Sequence, residues 1–179
     1  MSGHNKWSKI KNKKAVTDAK KSKIFSKIVR LIQVESRKTK GDINSPGLRG
    51  AILKAKEVNM PADNIERAIK KGAGETGDQM EAIHYETYGP GGTAVIIETL
   101  TDNKNRVVAE IKHTLSKNGL SLAGVGSAVW AFEKNDGVWK PKTLVDVSSE
   151  DLKKLESLIE ELEDNDDVQE VYTNVNIVS

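Results

Sequence analysis

Residues 82–100 have the sequence AIHYETYGPGGTAVIIETL, from which the architecture of the C-terminal half follows. Residues 82–88 can form a strand, and the Gly-Pro-Gly-Gly run at 89–92 has the composition of a turn. Residues 93–100 combine β-branched and apolar side chains, which is typical of a central strand. The stretch therefore predicts two neighbouring strands of one sheet.

Helical and strand patterns alternate downstream of this pair. Apolar residues at helical spacing predict a helix over residues 104–118 that ends at Gly119. Asn135-Asp136-Gly137 indicates a hairpin turn. The remaining predicted elements are a strand at 127–132, its partner at 138–147, a helix from Ser148 or Ser149 to about residue 164, and a strand at 168–175. The order β-β-α-β-β-α-β predicts an α+β fold in which a ferredoxin-like domain carries a mostly antiparallel sheet.

The N-terminal half shows helical patterns only. Thr17 can cap a helix that runs to about residue 40, and Ser45-Pro46 is a cap followed by proline at the first helical position of a second helix. Pro61 opens a third helix, which Gly72 can terminate. We therefore predict three regions: a basic extended arm at 1–16, a three-helix domain with its linker at 17–78, and the ferredoxin-like α+β domain at 79–179.

The charge is distributed unevenly along the 179 residues. The whole chain has 28 basic and 26 acidic residues and a formal net charge of +2. Residues 1–40 alone contain 13 basic and 2 acidic residues (13 − 2 = +11), whereas residues 141–179 contain 3 and 11 (3 − 11 = −8). A local charge of this size indicates a polyanionic partner, and nucleic acid fits better than an anionic membrane surface.

Composition also excludes several classes of protein. The absence of cysteine excludes a disulfide scaffold, cysteine-ligated zinc, iron–sulfur clusters and thiol catalysis. No apolar run is long enough for a membrane span, and no signal-peptide core follows the N-terminal lysines. We expect a soluble cytoplasmic protein that has no membrane partner, no small-molecule substrate, no cofactor, no metal site and no catalytic residues.

The candidate nucleic-acid-binding residues fall into three groups. In the arm, the lysines would bind phosphates, while His4 and Trp7 could stack on unpaired bases. In the first helix, basic residues share one face, and two more lie at the start of the helix predicted over 104–118. The full set is His4, Lys6, Trp7, Lys9, Lys11, Lys13, Lys14, Lys20, Lys23, Lys27, Arg30, Arg37, Lys104 and Arg106.

Other functional patterns are weaker. Residues 89–93 lack the Gly-Lys-Ser/Thr ending of a phosphate loop and lead into a strand. Glu110 and His113 have metal-ligand spacing, so a metal-dependent nuclease is a remote alternative, although further ligands are few. A DNA-binding transcriptional regulator is the main alternative, but no clear recognition helix stands out. A module that only binds other proteins is a further alternative.

Short motifs along the chain indicate more than composition does. They are, in order, Gly3-His4-Asn5-Lys6-Trp7-Ser8, Lys23-Ile24-Phe25-Ser26-Lys27, Asn59-Met60-Pro61, Tyr85-Glu86, Tyr88-Gly89-Pro90-Gly91-Gly92, Thr101-Asp102-Asn103, Asn105-Arg106, Gly126-Ser127 and residues 162–172. Together they resemble the YebC/PmpR family over nearly the whole chain. One departure is clear: the family usually carries a third domain after the strand that ends near Phe132, whereas here a tight turn leads directly into the returning strand.

The resemblance implies a cytoplasmic protein without enzymatic activity. The family was described as DNA-binding transcriptional regulators, and related proteins act in translation, including a mitochondrial activator of cytochrome oxidase subunit synthesis. Bacterial members are implicated in helping ribosomes through proline-rich stretches. We therefore expect a translation factor whose partner is ribosomal RNA on the ribosome, with duplex DNA as the alternative partner.

Overall fold

The computed structural model describes residues 18–74 and 79–177. These residues form two compact units, one that ends at Glu81 and one that begins at Ala82. Among the described residues, no helix combines the length and the apolar character that crossing a bilayer requires. The two units are described in turn.

The first unit contains three helices, as the sequence pattern predicts. Helix α1 is Asp18–Thr39, α2 is Pro46–Glu57 and α3 is Ala62–Ala73. Ser45 occupies the N-cap position of α2 with proline directly behind it, and Pro61 precedes α3. The apolar faces of the three helices form one core around the buried residues Ile32, Leu48, Ala51, Ala55, Met60, Ile65 and Ala68.

Gly72 has a different role from the one predicted. It lies inside α3 and is buried, and the helix ends at Ala73. A Cβ atom at Gly72 would lie 2.5 Å from the backbone oxygen of Gln33 in α1. The side chain of Ser36 also bridges the two helices, because its hydroxyl donates a 2.7 Å hydrogen bond to the oxygen of Ile69. Gly72 therefore allows close packing of α1 against α3 instead of terminating α3.

The second unit is an α+β structure. Its strands are β1 (Glu81–Tyr88), β2 (Ala94–Thr101), β3 (Phe132–Asn135), β4 (Val138–Pro141) and β5 (Val168–Thr173). Its helices are α4 (Lys104–Lys117) and α5 (Ser149–Glu163). One sheet has the order β1-β2-β5, with β2 in the centre. Strands β2 and β5 are antiparallel, and Val95 lies opposite Thr173.

The central strand β2 is buried on both faces. On one face, Val95 and Ile97 pack with apolar residues of α4 and α5. On the other face, Ala94 and Ile96 pack with Phe132 and the hairpin that follows it. Because successive residues of a strand point to opposite faces, the nearly continuous apolar run of β2 matches burial on two sides.

The hairpin β3–β4 is joined by two residues. Asn135 pairs with Val138, so Asp136 and Gly137 form the loop. Their φ angles are +50° and +79°, as a type I′ turn requires. The predicted hairpin turn is therefore confirmed. The strand predicted at 127–132 is wrong, because Val129–Ala131 form a short 3-10 helix and the strand begins at Phe132.

Side chains cap both helices of the second unit. The side chain of Asn103 accepts a hydrogen bond from the backbone N–H of Arg106 at the start of α4, and Ser148 accepts one from Asp151 at the start of α5. The side chain of Asn174 connects more distant segments: its oxygen accepts from the N–H of Ala94 at 2.8 Å, and its nitrogen donates to the oxygen of Thr143 at 3.0 Å.

The predicted α+β fold with a mostly antiparallel sheet is confirmed. A ferredoxin-like domain would place the strands in a single sheet, whereas here β3 and β4 form a two-stranded sheet of their own. The returning strand is also shorter than predicted and ends at Pro141. Beyond it, Val145 contributes an isolated bridge to Val175.

Candidate nucleic-acid interface

Helix α1 carries a basic face. Its 22 residues include 7 basic and 2 acidic side chains, a net charge of 7 − 2 = +5. At 100° per residue, five of the basic residues fall within an arc of about 100° and span about 25 Å of helix axis. They are Lys20, Lys23, Lys27, Arg30 and Arg37. We call these five residues the basic face.

The environment of the basic face differs along the helix. Lys20 is exposed, and the other four side chains are partly buried. Each of the five has an interaction with another group of the protein. Ile32 and its apolar neighbours point into the core of the first unit, which fixes the rotation of α1 and keeps the basic residues to one side.

The basic candidates of the arm lie outside the described residues. They are His4, Lys6, Trp7, Lys9, Lys11, Lys13 and Lys14. They remain predictions from the sequence.

A small cavity lies at the C-terminal end of the basic face. Its volume is about 160 Å³, and three of its lining residues are cationic. One of these, Lys38, donates from Nζ to the Glu35 carboxylate at 2.7 Å. The lining residues are Gln33, Val34, Arg37, Lys38, Lys71, Gly72 and Met80. The positive charge therefore continues from α1 onto the end of α3.

Arg106 is held by two carboxylates of the second unit. Its Nη2 donates to Asp102 Oδ1 and to Asp167 Oδ2, both at 2.7 Å. The hydrogen bond with Asp167, followed by the one with Asp102, raises the pKa of Arg106 above its ordinary value. Asp167 is buried and also accepts from the Thr101 hydroxyl at 2.9 Å. Arg106 thus fastens the loop before α4, while Lys104 is exposed at the first turn of that helix.

A buried carboxylate organises the loop before β3. Glu86 is only 3% exposed, and it accepts hydrogen bonds from the backbone N–H groups of Gly126 (2.8 Å), Ala128 (2.7 Å) and Val129 (2.9 Å). Burial by itself would raise the pKa of Glu86, but the three backbone donors and the nearby His84 outweigh it and lower the pKa. The carboxylate thus stays charged inside the domain and fixes the loop.

Two aromatic residues lie beside this loop. Trp130 is 53% exposed and Tyr88 is 38% exposed. The indole Nε1–H of Trp130 donates to the Tyr88 hydroxyl at 2.9 Å, and that hydroxyl donates to the backbone oxygen of Ser127. Sequence reasoning missed Glu86, Tyr88 and Trp130 as a group, because 42 residues separate Tyr88 from Trp130. The one available signal was a carboxylate inside a strand pattern next to a glycine turn.

Trp139 has a contrasting environment on β4. It is partly buried, and its Nε1–H donates to Glu98 Oε1 at 2.9 Å. The Nζ of Lys134 lies 4.8 Å from the centre of its ring and 3.2 Å from the same carboxylate oxygen. Glu98 also affects Tyr172 of β5: burial, and then the charge of Glu98, raises the pKa of the Tyr172 hydroxyl above its ordinary value. Trp139 is therefore a structural residue of the hairpin layer.

Glu110, one member of the pair considered for a nuclease, has a structural contact. The side-chain nitrogen of Asn165 donates to Glu110 at 2.7 Å, and both Glu110 and His113 are exposed on α4. Within residues 18–74 and 79–177, no three His, Asp or Glu side chains are grouped so as to hold a metal ion.

The two units carry opposite net charges. Residues 17–81 contain 14 basic and 9 acidic residues (14 − 9 = +5), and residues 82–179 contain 9 and 17 (9 − 17 = −8). The positive charge of the chain is thus concentrated in residues 1–81. A polyanion would be attracted to that part and repelled by most of the second unit.

Comparison with known protein families gives two matches. The model of the TACO1/YebC protein N-terminal domain matches residues 5–75. The model of the TACO1/YebC second and third domain matches in two segments, residues 80–138 and 134–175. The two segments meet at the type I′ turn of the hairpin.

Individual relatives agree with these matches. A probable transcriptional regulatory protein of Fervidobacterium nodosum is 40% identical over 238 residues, covering 99% of this chain and 94% of that protein. One of the same description from Syntrophus aciditrophicus is 47% identical over 177 residues, covering 97% of this chain and 71% of that protein. The crystal structure of a conserved hypothetical protein of Aquifex aeolicus has a TM-score of 0.80 at 32% identity, covering 90% of this chain and 93% of the other.

The Fervidobacterium alignment also measures a length difference. It spans 238 positions, whereas this chain has 179 residues, so at least 238 − 179 = 59 positions of that relative have no counterpart here. This agrees with the departure seen in the sequence, where a tight turn stands in place of a third domain.

Proposed function

Because the chain belongs to the TACO1/YebC family, we propose that it is a nucleic-acid-binding regulator of gene expression that acts without catalysis. The observation that carries this proposal is the basic face of α1, set in a part of the chain with net positive charge and joined to an acidic second unit. Lysine and arginine along one face of a helix bind phosphates and provide affinity that depends on salt and not on sequence.

The finer proposal is that the nucleic acid is ribosomal RNA and that the protein is a cytoplasmic translation factor. Support comes from the side chains that would have to read bases if α3 were the recognition helix of a DNA-binding protein. Arg67 and Asn64 of α3 are hydrogen-bonded to each other, and Arg67 Nε also donates to the Asp63 oxygen at 3.3 Å. These side chains are thereby oriented along their own helix, whereas a recognition helix presents its readers to the major groove.

The resemblance to the YebC/PmpR family supports one more step of this proposal. In that step, the protein would relieve the stalling of ribosomes at proline-rich stretches. The basic face and the arm would hold ribosomal RNA backbone, and the second unit would add contacts of its own, including Lys104.

A DNA-binding transcriptional regulator is the second candidate. It is favoured by the relatives, which are described as probable transcriptional regulatory proteins. For this function we expect binding to a defined promoter duplex that persists when unrelated duplex is in excess.

Co-sedimentation with ribosomes at rising salt, with excess random duplex DNA as competitor, separates the two candidates. We expect the chain to pellet with ribosomes in the presence of the competitor, because structured RNA would offer more than phosphate charge. If the competitor removes the chain from ribosomes completely, the translation-factor proposal is wrong and the transcriptional reading takes its place.

A further inference from the structure

Tyr88 and Trp130 form an exposed aromatic pair. Phosphate binding by the basic face does not involve either residue. We call these two residues the aromatic platform. Large aromatic side chains that remain more than one-third exposed, here 38% and 53%, leave considerable apolar surface in water. Their polar groups are already satisfied, since the indole N–H binds the Tyr88 hydroxyl and that hydroxyl binds Ser127. The ring surface is therefore what the platform has to offer a ligand.

The platform is fixed in position before any ligand arrives. Glu86 holds the backbone on both sides of Ser127 through three N–H groups, and it does so as a buried charge. The Thr87 hydroxyl, next along β1, donates to the backbone oxygen of Ser121 at 2.8 Å, so the start of the same loop is also attached to β1. A ligand that meets rings already held in place loses less entropy on binding than one that must order them.

The surroundings of the platform differ from the rest of the acidic unit. Residues 87–93 (TYGPGGT) and 121–131 (SLAGVGSAVWA) contain no charged side chain. The backbone N–H of Lys142 donates to the Ala131 oxygen at 2.8 Å, which brings a lysine close to the chain that carries Trp130. The residues of these two segments therefore add no negative charge of their own beside the rings, and the nearest carboxylate of α5 is that of Asp151, which lies next to Gly91.

We propose that the aromatic platform stacks on an unpaired nucleobase of the bound RNA. This inference rests on the proposed function, since the basic face would hold the same RNA by its phosphates. Unpaired bases are the usual partners of exposed aromatic side chains in RNA-binding proteins, and every base has a flat π-face, so stacking tolerates any sequence. The platform makes single-stranded RNA a better ligand than a duplex, whose bases are stacked on one another.

Trp130→Leu in the full chain tests the proposal. Binding is measured with a labelled single-stranded RNA rich in adenine and with an RNA duplex of matching length. We expect the substitution to weaken single-strand binding by about fivefold or more and to leave duplex binding unchanged. Trp130→Phe keeps a ring and should retain most of the single-strand affinity. Because Trp130 is half exposed, these variants should keep the stability of the parent chain.

Val125 provides the matched control. It lies on the same loop and is 97% exposed but not aromatic. Val125→Ser should not change RNA binding if stacking is the interaction. An equal loss from Val125→Ser and Trp130→Leu would overturn the proposal, because RNA binding would then depend on the apolar surface of the loop and not on stacking against a ring. An unchanged single-strand affinity in Trp130→Leu would also overturn it.

Fluorine NMR of the protein labelled with 5-fluorotryptophan adds a direct measurement. The chain has three tryptophans, and Trp130→Phe identifies the signal of Trp130. We expect that signal to move when single-stranded RNA is added, while the signal of the partly buried Trp139 stays in place. If the signal stays in place although RNA binds through the basic face, the stacking proposal fails and the proposed function stands. If no RNA binds at all, the proposed function fails first.

Discussion

Removing three positive charges from the basic face should change the salt dependence of nucleic-acid binding by a calculable amount. We consider Lys20, Lys23 and Lys27, each replaced by Gln. They occupy one face of α1 over eight residues, and the seven steps between Lys20 and Lys27 span about 10 Å of helix axis. One strand of a duplex presents a phosphate every 3.4 Å or so along its axis, so about three phosphates fit this length.

The expected magnitude follows from counterion release. Each phosphate contact on a duplex adds about 0.9 to the slope of log Kd against log salt, so three contacts add about 2.7. Between about 50 and 200 mM salt, a fourfold change, the parent chain should lose about 40-fold more affinity than the triple variant. The two chains should therefore differ strongly in low salt and approach each other in high salt.

Fluorescence anisotropy with a labelled DNA duplex of random sequence at four or more salt concentrations measures both slopes, since the phosphate spacing and the slope per contact are those of B-form DNA. The control is a second triple variant in which Lys112, Lys140 and Lys153, three exposed residues of the second unit, are each replaced by Gln. This control removes the same net charge from the acidic unit and should leave the slope unchanged. A slope that falls by less than about 0.9, the value of one phosphate contact, would refute the assignment of the interface to α1. An equal fall of the slope in both variants would also refute it.

Three further predictions concern the folded structure. Gly72→Ala should destabilise the first unit by about 1–3 kcal/mol in urea unfolding followed by helical circular dichroism, because its Cβ would meet the backbone of Gln33. Glu86→Gln should destabilise the second unit by about 1–3 kcal/mol at neutral pH in urea unfolding followed by tryptophan fluorescence. Because folding lowers the pKa of Glu86, the ionised carboxylate stabilises the fold at pH values above 4.5, the ordinary pKa of a glutamate. That contribution is lost as the pH falls through the folded-state pKa. The difference in stability between parent and variant should therefore shrink in acid. Asn174→Ala should cost about 1–3 kcal/mol in the same fluorescence assay, because the buried N–H of Ala94 loses its acceptor; an unchanged midpoint in any of the three would contradict the contact concerned.

Local rules predicted the parts of the fold that depend on neighbouring residues. The type I′ turn at Asp136-Gly137 requires two positive φ angles, which few other residue pairs adopt easily. Ser148, one of the two residues predicted to begin its helix, caps α5 through a hydrogen bond from the backbone N–H three positions away. Such contacts are contained in a window of a few residues, so the sequence predicts them directly.

The misassigned segments are those where distant residues decide the conformation. Gly72 has the local properties of a helix end, but its role is set by α1 packing against it across more than thirty residues. The backbone N–H groups of Ala128 and Val129 are bound to Glu86 and are not available to a neighbouring strand. A 3-10 helix therefore stands where the apolar pattern predicted a strand.

The candidate site was predictable to a similar extent. The basic face follows from charge and helical period alone, and the structure shows the core of the first unit on the other side of α1. The engagement of Arg106 by Asp167 was not predictable, because 61 residues separate them. The aromatic platform likewise depends on a contact between β1 and the distant loop, so composition could not indicate it.

The hairpin turn has a consequence for how readily such a chain can gain or lose a segment. Pairing Val95 of β2 with Thr173 of β5 closes a loop of 173 − 95 = 78 residues. A relative with 59 further residues at the hairpin would close about 137. Because closure entropy grows only as the logarithm of loop length, the longer loop adds about 0.5 kcal/mol. The insert therefore changes the entropy of closing the sheet very little. Selection can act on the insert with little effect on the stability of the domain that carries it.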